Sequence, residues 1–243
     1  GMPVFRAGSF FTDHRTPLEQ RWGGWYVTGT HGSSRHMGNQ LATDDAGTLD
    51  AKAGANLTSL NAFVDPALHL TPHSDLVALM VLEHQTRITN LITRVGWETR
   101  MALSDHVNYS KAMNEPVGEW SDSTRRRIQQ PAEVLLRSLL LVDESPLASP
   151  VWGTSGFGEE YSARGPRDRQ RRSLYQLDLT TRLYRYRCSP LIYSEQFAGL
   201  PREVRDFDPR LALDGGGDGL EAYRAILPDL PRLMAPGGVA VLE

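Results

Sequence analysis

Cysteine is almost missing from this chain: Cys188 is the only one in 243 residues. A lone thiol closes no internal disulfide, builds no cysteine zinc cluster and cannot form the Cys-x-x-Cys-His motif that fastens haem covalently. Net charge is small as well, with 26 Lys and Arg against 29 Asp and Glu giving -3 and a pI near 6.2. That balance provides no global attraction for nucleic acid or an anionic membrane, so no nucleic-acid partner is expected. No apolar run approaches the ~20 residues of a membrane span, and "GMPVFRAGSFFTDHRTP" lacks the basic and apolar regions of a secretory signal. Catalytic signatures are lacking too: there is no His-Glu-x-x-His, no Gly-x-Ser-x-Gly, and no Gly-Lys-Ser/Thr after "GTSGFG". No catalytic residue is assigned.

What is present is lopsided. All seven histidines (His14, His31, His36, His69, His73, His84 and His106) lie in the first 106 residues. Histidine is the commonest transition-metal ligand and a frequent axial ligand of haem, which places a metal or haem near the N-terminal half. The plainer alternative is a cluster of surface or core-capping histidines. The stretch "RWGGWYVTGTHGSSRHMGN", residues 21–39, concentrates the question. Trp22, Trp25 and Tyr26 are large enough to anchor a packed corner. Gly29, Gly32 and Gly38 would let backbone approach a flat ligand, while His31, His36 and Met37 offer nitrogen and thioether donors to iron.

Periodicity predicts a mainly α fold with long irregular loops. Residues 1–70 read as mostly irregular. Pro72 and Ser74 then supply a start signal, and Val77, Met80, Val81, His84, Ile88, Leu91, Ile92 and Val95 recur at helical spacing, predicting a helix from about 75 to 103. His84 stands in that apolar stripe, so it should point inward and need a partner: a carbonyl, a carboxylate, a metal or haem iron. His36 and His84 are therefore the candidate metal ligands. A second block from residue 121 opens with a Ser/Asp cap, and a fresh helix is expected to begin at Pro131, run to about 142 and pack on the first. The region from 164 to 187 is dense in arginine, suited either to phosphates, haem propionates or a nucleic acid backbone, or to a solvated face paired with acids.

Three strings, "DHRTPLEQRWGGWYVTGTHGSSRHMGN", "LTPHSDLVALMVLEHQTRITNLITR" and "TSGFGEEYSARGPRDRQRRSL", carry a resemblance over residues 1–198. This part resembles the C-terminal region of large bacterial proteins containing a cytochrome c domain. In that family the haem-attaching motif lies upstream of the segment present here. The resemblance implies a periplasmic setting, a partnership with an upstream cytochrome c domain or another redox partner, and a haem that this chain does not itself attach. His31, His36 and Met37 would then face the iron or its propionates, with Arg164 and Arg167 as propionate partners.

The remainder, "AGLPREVRDFDPRLALDGGGDGLEAYRAILPDLPRLMAPGGVAVLE", is similar to part of the release-factor glutamine methyltransferases, which use S-adenosylmethionine. Asp214-Gly215-Gly216, Asp218-Gly219-Leu220, Tyr223 and "GGVAVLE" carry that likeness. Those enzymes need a glycine-rich cofactor turn and an Asn-Pro-Pro-Tyr loop, and where the loop should precede the match this chain has "CSPLIYSE". A helix from about 218 to 234 and a strand at 238–242 would make only a short α/β fragment at the C-terminus. The expected division is therefore 1–198, a cytochrome c-associated helical region, and 199–243, a methyltransferase-like fragment, joined as an apparent chimera or fusion. Four functions compete: a haem-associated electron-transfer module, a non-catalytic packing or interaction module without cofactor, an inactive methyltransferase remnant, and a mononuclear metal enzyme, the last disfavoured by spacing.

Overall fold

The computed structural model describes residues 11–39 and 54–205. The main elements are α1 (Leu76–Ala112), α2 (Asp122–Leu139) and α3 (Phe157–Ala163), followed by the single turns α4 (Glu195–Ala198) and α5 (Arg202–Arg205). Short 3-10 turns stand at Leu18–Gln20, Pro66–Leu68 and Pro190–Tyr193. Among the described residues there is no strand; three isolated bridges, Thr28 to Asp75, Thr30 to Trp152 and Leu177 to Tyr184, tie loops together. The fold is mainly α with long irregular connections. The helix from about 218 to 234 and the strand at 238–242 expected for the α/β fragment lie outside the described residues, and no helix among the described residues is long and apolar enough to cross a membrane.

All eight stripe positions expected in α1 are buried, so the 3.6-residue repeat does what periodicity says it should. The helix nonetheless runs to Ala112, nine residues past the expected end. Its last turns are polar, and nothing in "MALSDHVNYSKA" breaks a helix. The stop comes from Asn114, left-handed at φ 54°, with Glu115 N–H bonding back to the Ser110 carbonyl at 2.9 Å and Asn114 N–H to Lys111 at 3.1 Å. That is a Schellman ending, and Pro116 follows it.

Pro131 does not start a new helix. It sits inside a continuous α2, whose first turn is capped by the Ser121 hydroxyl accepting from Thr124 N–H at 3.1 Å. Ile128, Ala132, Leu135 and Leu139 are all buried on one face that crosses the proline, so packing on both sides offsets the one hydrogen bond it removes. The packing of α2 on α1 holds along their outer turns, where Arg127 reaches Asp105 at 2.9 Å.

Two compact units can be distinguished, Gly1–Asn90 with Arg137–Leu191, and Leu91–Leu136 with Ile192–Glu243. In the first, Leu18, Val27, Leu76, Val77, Met80, Val81, Leu141, Val151, Tyr161, Leu183 and Tyr184 form one hydrophobic core. In the second, Leu200 lies against Gly96 of α1, where an added Cβ would meet its Cδ2 at 3.5 Å.

Asp75 organises the first unit and gave no signal that sequence reasoning took up. Its Oδ1 accepts from Val77 N–H at 2.8 Å and Ala78 N–H at 3.1 Å, which makes it the N-cap of α1. Its Oδ2 accepts from Thr154 N–H at 2.7 Å, Ser155 N–H at 2.8 Å and Ser155 Oγ at 2.8 Å. Thr28 adds a second stitch, bonding Ser74 and Leu76 through its backbone at 2.7 and 2.8 Å and Thr154 through its hydroxyl at 2.7 Å. The irregular N-terminal segment is thereby clamped to the start of α1 and to the loop before α3.

Candidate functional site

The segment from Trp22 to Asn39 divides into an inner and an outer face. Inside, His31 and His36 meet edge to face with ring centroids 4.8 Å apart, and both are buried. His31 Nε2 accepts from Asn56 N–H at 3.0 Å, while Asn56 Oδ1 takes the His31 N–H at 2.6 Å. His36 Nδ1 accepts from Gly38 N–H at 3.0 Å. Gly29 and Gly38 allow close packing here: a Cβ on Gly38 would come within 2.6 Å of Val27 Cγ2, and one on Gly29 within 2.7 Å of Leu76 Cβ.

Burial, and then the neighbouring His31 ring, push the His36 imidazole down to about 4. Burial and then Arg35 lower His31 as well. A base whose folded pKa falls below its unfolded value of 6.5 contributes stability that is complete above that value and lost as pH falls toward the folded one. For His36 alone the loss is about 3 kcal/mol, spread between pH 6.5 and 4. Urea unfolding across that window should show falling stability, and His36→Phe should flatten the slope; an unchanged slope would contradict the assignment.

On the outer face an open cleft of about 870 Å³ is walled by Phe11, Trp22, Trp25, Met37, Leu79 and Leu82. Trp25 is 58% exposed and Met37 41%. The expected aromatic corner is thus only partly buried: Trp22 packs on the core, whereas Trp25 and Tyr26 face outward. The cleft's charged side holds Asp13, Arg15, Glu83 and Arg87, with Asp13 paired to Arg15 at 2.7 Å and to Arg87 at 3.7 Å. Its walls are part apolar and part charged. Met37 belongs to its wall, and neither His31 nor His36 does.

The other candidates stand elsewhere. His84 is buried in α1, its Nε2 bonded to Ser189 Oγ at 2.8 Å and its ring edge-on to Tyr184 at 5.2 Å. Burial holds it neutral, down to about 3. Arg164 pairs with Glu160 one turn earlier on α3. Arg167 donates to the carbonyls of Arg171 and Ser162 at 3.1 and 3.2 Å. Both arginines make local bonds at the surface. Among the described residues, no group of three or more His, Cys, Asp or Glu could hold a metal ion.

The segment that should correspond to the methyltransferase's substrate loop is built into the helical body. Cys188 and Ser189 are buried, Ser189 N–H bonds the Leu139 carbonyl at 2.7 Å, and Pro190–Tyr193 form a 3-10 turn with Ile192 in the core. A short part of this chain is similar to release factor glutamine methyltransferases. The likeness is 50% identity over 54 residues with the protein of Bradyrhizobium diazoefficiens, covering 22% of this chain and 18% of that protein. With the Moorella thermoacetica protein it is 54% over 54 residues, 22% and 19% of the two chains. With that of Nitratidesulfovibrio vulgaris it is 39% over 104 residues, 40% and 34%. The chain therefore spans about a fifth of the length of the first two relatives. No family model matches, and no solved structure does.

Proposed function

We propose that this chain is a binding module joined to an inactive remnant of an S-adenosylmethionine-dependent protein glutamine methyltransferase. The observation that carries this reading is the place of "CSPLIYSE". The enzyme's substrate loop offers an asparagine to hold the glutamine amide, whereas here Ser189 is bonded to His84 and Ile192 is buried. The residues present do not fit a glutamine substrate, and no Gly-rich cofactor turn precedes them, so no methyl-transfer step is drawn through S-adenosylmethionine. The helical body and the remnant come from two ancestries meeting near residue 198. Titration calorimetry with S-adenosylmethionine should give no binding heat; saturable binding would overturn the remnant reading.

Met37 favours a second reading of the cleft. Its thioether stands in the wall beside Trp22 and Trp25, where a haem presented by an upstream cytochrome c domain or another periplasmic redox partner would meet a ligand that iron accepts. The cations in the cleft are Arg15 and Arg87, not Arg164 and Arg167. On this reading added haem gives a shifted Soret band that Met37→Ala abolishes; a spectrum identical to that of free haem decides against it.

A further inference from the structure

Within the first unit lies a small cavity of about 20 Å³ whose lining includes His14, Arg21, Glu83, His84 and Glu144 beside apolar residues such as Met80 and Leu183. One water needs roughly 10–15 Å³ of such space and two to four polar partners. Two atoms of lining residues, Glu83 Oε1 and His84 Nδ1, are buried and make no hydrogen bond to any protein group. Glu83 uses its other oxygen, Oε2, to pair with Arg21 at 2.9 Å. His84 is 3% exposed, and a buried polar atom left without a partner costs about 1–3 kcal/mol. Glu83 also lines the outer cleft, so it stands between the two spaces.

We propose that this cavity is a binding site for one structural water that bridges His84 Nδ1 and Glu83 Oε1. The proposal includes one direction for each bond. The Ser189 hydroxyl, which accepts from Leu191 N–H at 3.3 Å, gives its own proton to His84 Nε2 at 2.8 Å. The neutral ring then carries its proton on Nδ1, which donates to the water, and the water donates to the Glu83 carboxylate. A relay thus runs from Ser189 through His84 and the water to the Glu83–Arg21 pair at the foot of the cleft. The space is too small for an organic ligand and large enough for one water.

Two measurements on the intact chain test this. A crystal structure at a resolution that shows ordered solvent should place a single peak about 2.6–3.2 Å from both atoms, and nitrogen NMR should find His84 neutral with its proton on Nδ1. The proposal fails if no peak stands there, if Glu83 Oε1 or His84 Nδ1 turns out to bond a protein group directly, if the peak shows metal-like contacts near 2.1 Å, or if the ring proton is on Nε2.

Discussion

Asp75→Ala should lower the unfolding free energy by about 3–5 kcal/mol, among the largest single-residue effects in the molecule. Loss of the cap on α1 accounts for about 1 kcal/mol. The rest comes from Thr154 N–H, Ser155 N–H and the Ser155 hydroxyl, which lose a charged acceptor in a site where Asp75 is only 6% exposed. Asp75→Asn should recover only part of this, since an amide NH2 would oppose donors. Burial works to raise the Asp75 carboxyl, but bonds from Ser155, Ala78 and Thr154 outweigh it and hold it below 3.8. An acid depressed in the folded state contributes stability present above its unfolded pKa and lost as pH falls through the folded one. The aspartate's contribution should therefore disappear below about pH 4, after the His36 contribution has already gone. Chemical denaturation of the two variants checks this, and a cost under about 1 kcal/mol for Asp75→Ala would refute the central role given to it.

A second large effect is expected at Arg21. Its side chain is 7% exposed, pairs with Glu83 at 2.9 Å and donates twice to the Thr16 carbonyl, at 2.8 and 2.6 Å. Arg21→Leu leaves the Glu83 carboxylate buried without its cation, at a cost of about 3–5 kcal/mol. Replacing both partners with leucine should cost clearly less than the sum of the single changes, because neither charge is then left unpaired. A double-mutant cycle by urea unfolding measures the coupling; simple additivity would mean that the ion pair contributes nothing. The Arg21 carbonyl accepts from Met37 N–H at 3.0 Å and its partner Glu83 lines the cleft, so Arg21→Leu should also perturb the cleft walled by Trp22 and Met37.

What the sequence made legible follows the range of the forces involved. The stripe from Val77 to Val95 is a local repeat, and its burial could be read directly. The length of α1 could not, since its polar last turns carry no periodic signal and end on the Asn114 turn. Pro131 misled because a local rule about proline was applied without the buried face from Ile128 to Leu139 that spans it. His84 was rightly read as inward, but its partner, Ser189, lies 105 residues away and no spacing rule reaches that far. Asp75 was legible in principle as an aspartate directly ahead of an apolar helix, though its second set of donors comes from residues 154 and 155. His31, His36 and Met37 look like one ligand cluster in the sequence because they are adjacent; the chain's turns send the histidines inward and the methionine out to the cleft. The similarity to a glutamine methyltransferase was carried by uncommon strings near the C-terminus, outside the described residues.

The methyltransferase-like part of this chain is, on the reading proposed above, a remnant without activity. Incubating the purified chain with radiolabelled S-adenosylmethionine and a release-factor peptide containing the acceptor glutamine tests it directly. Incorporation should equal that of a reaction without protein, whereas time-dependent labelling of the glutamine that scales with protein concentration would contradict a remnant without activity.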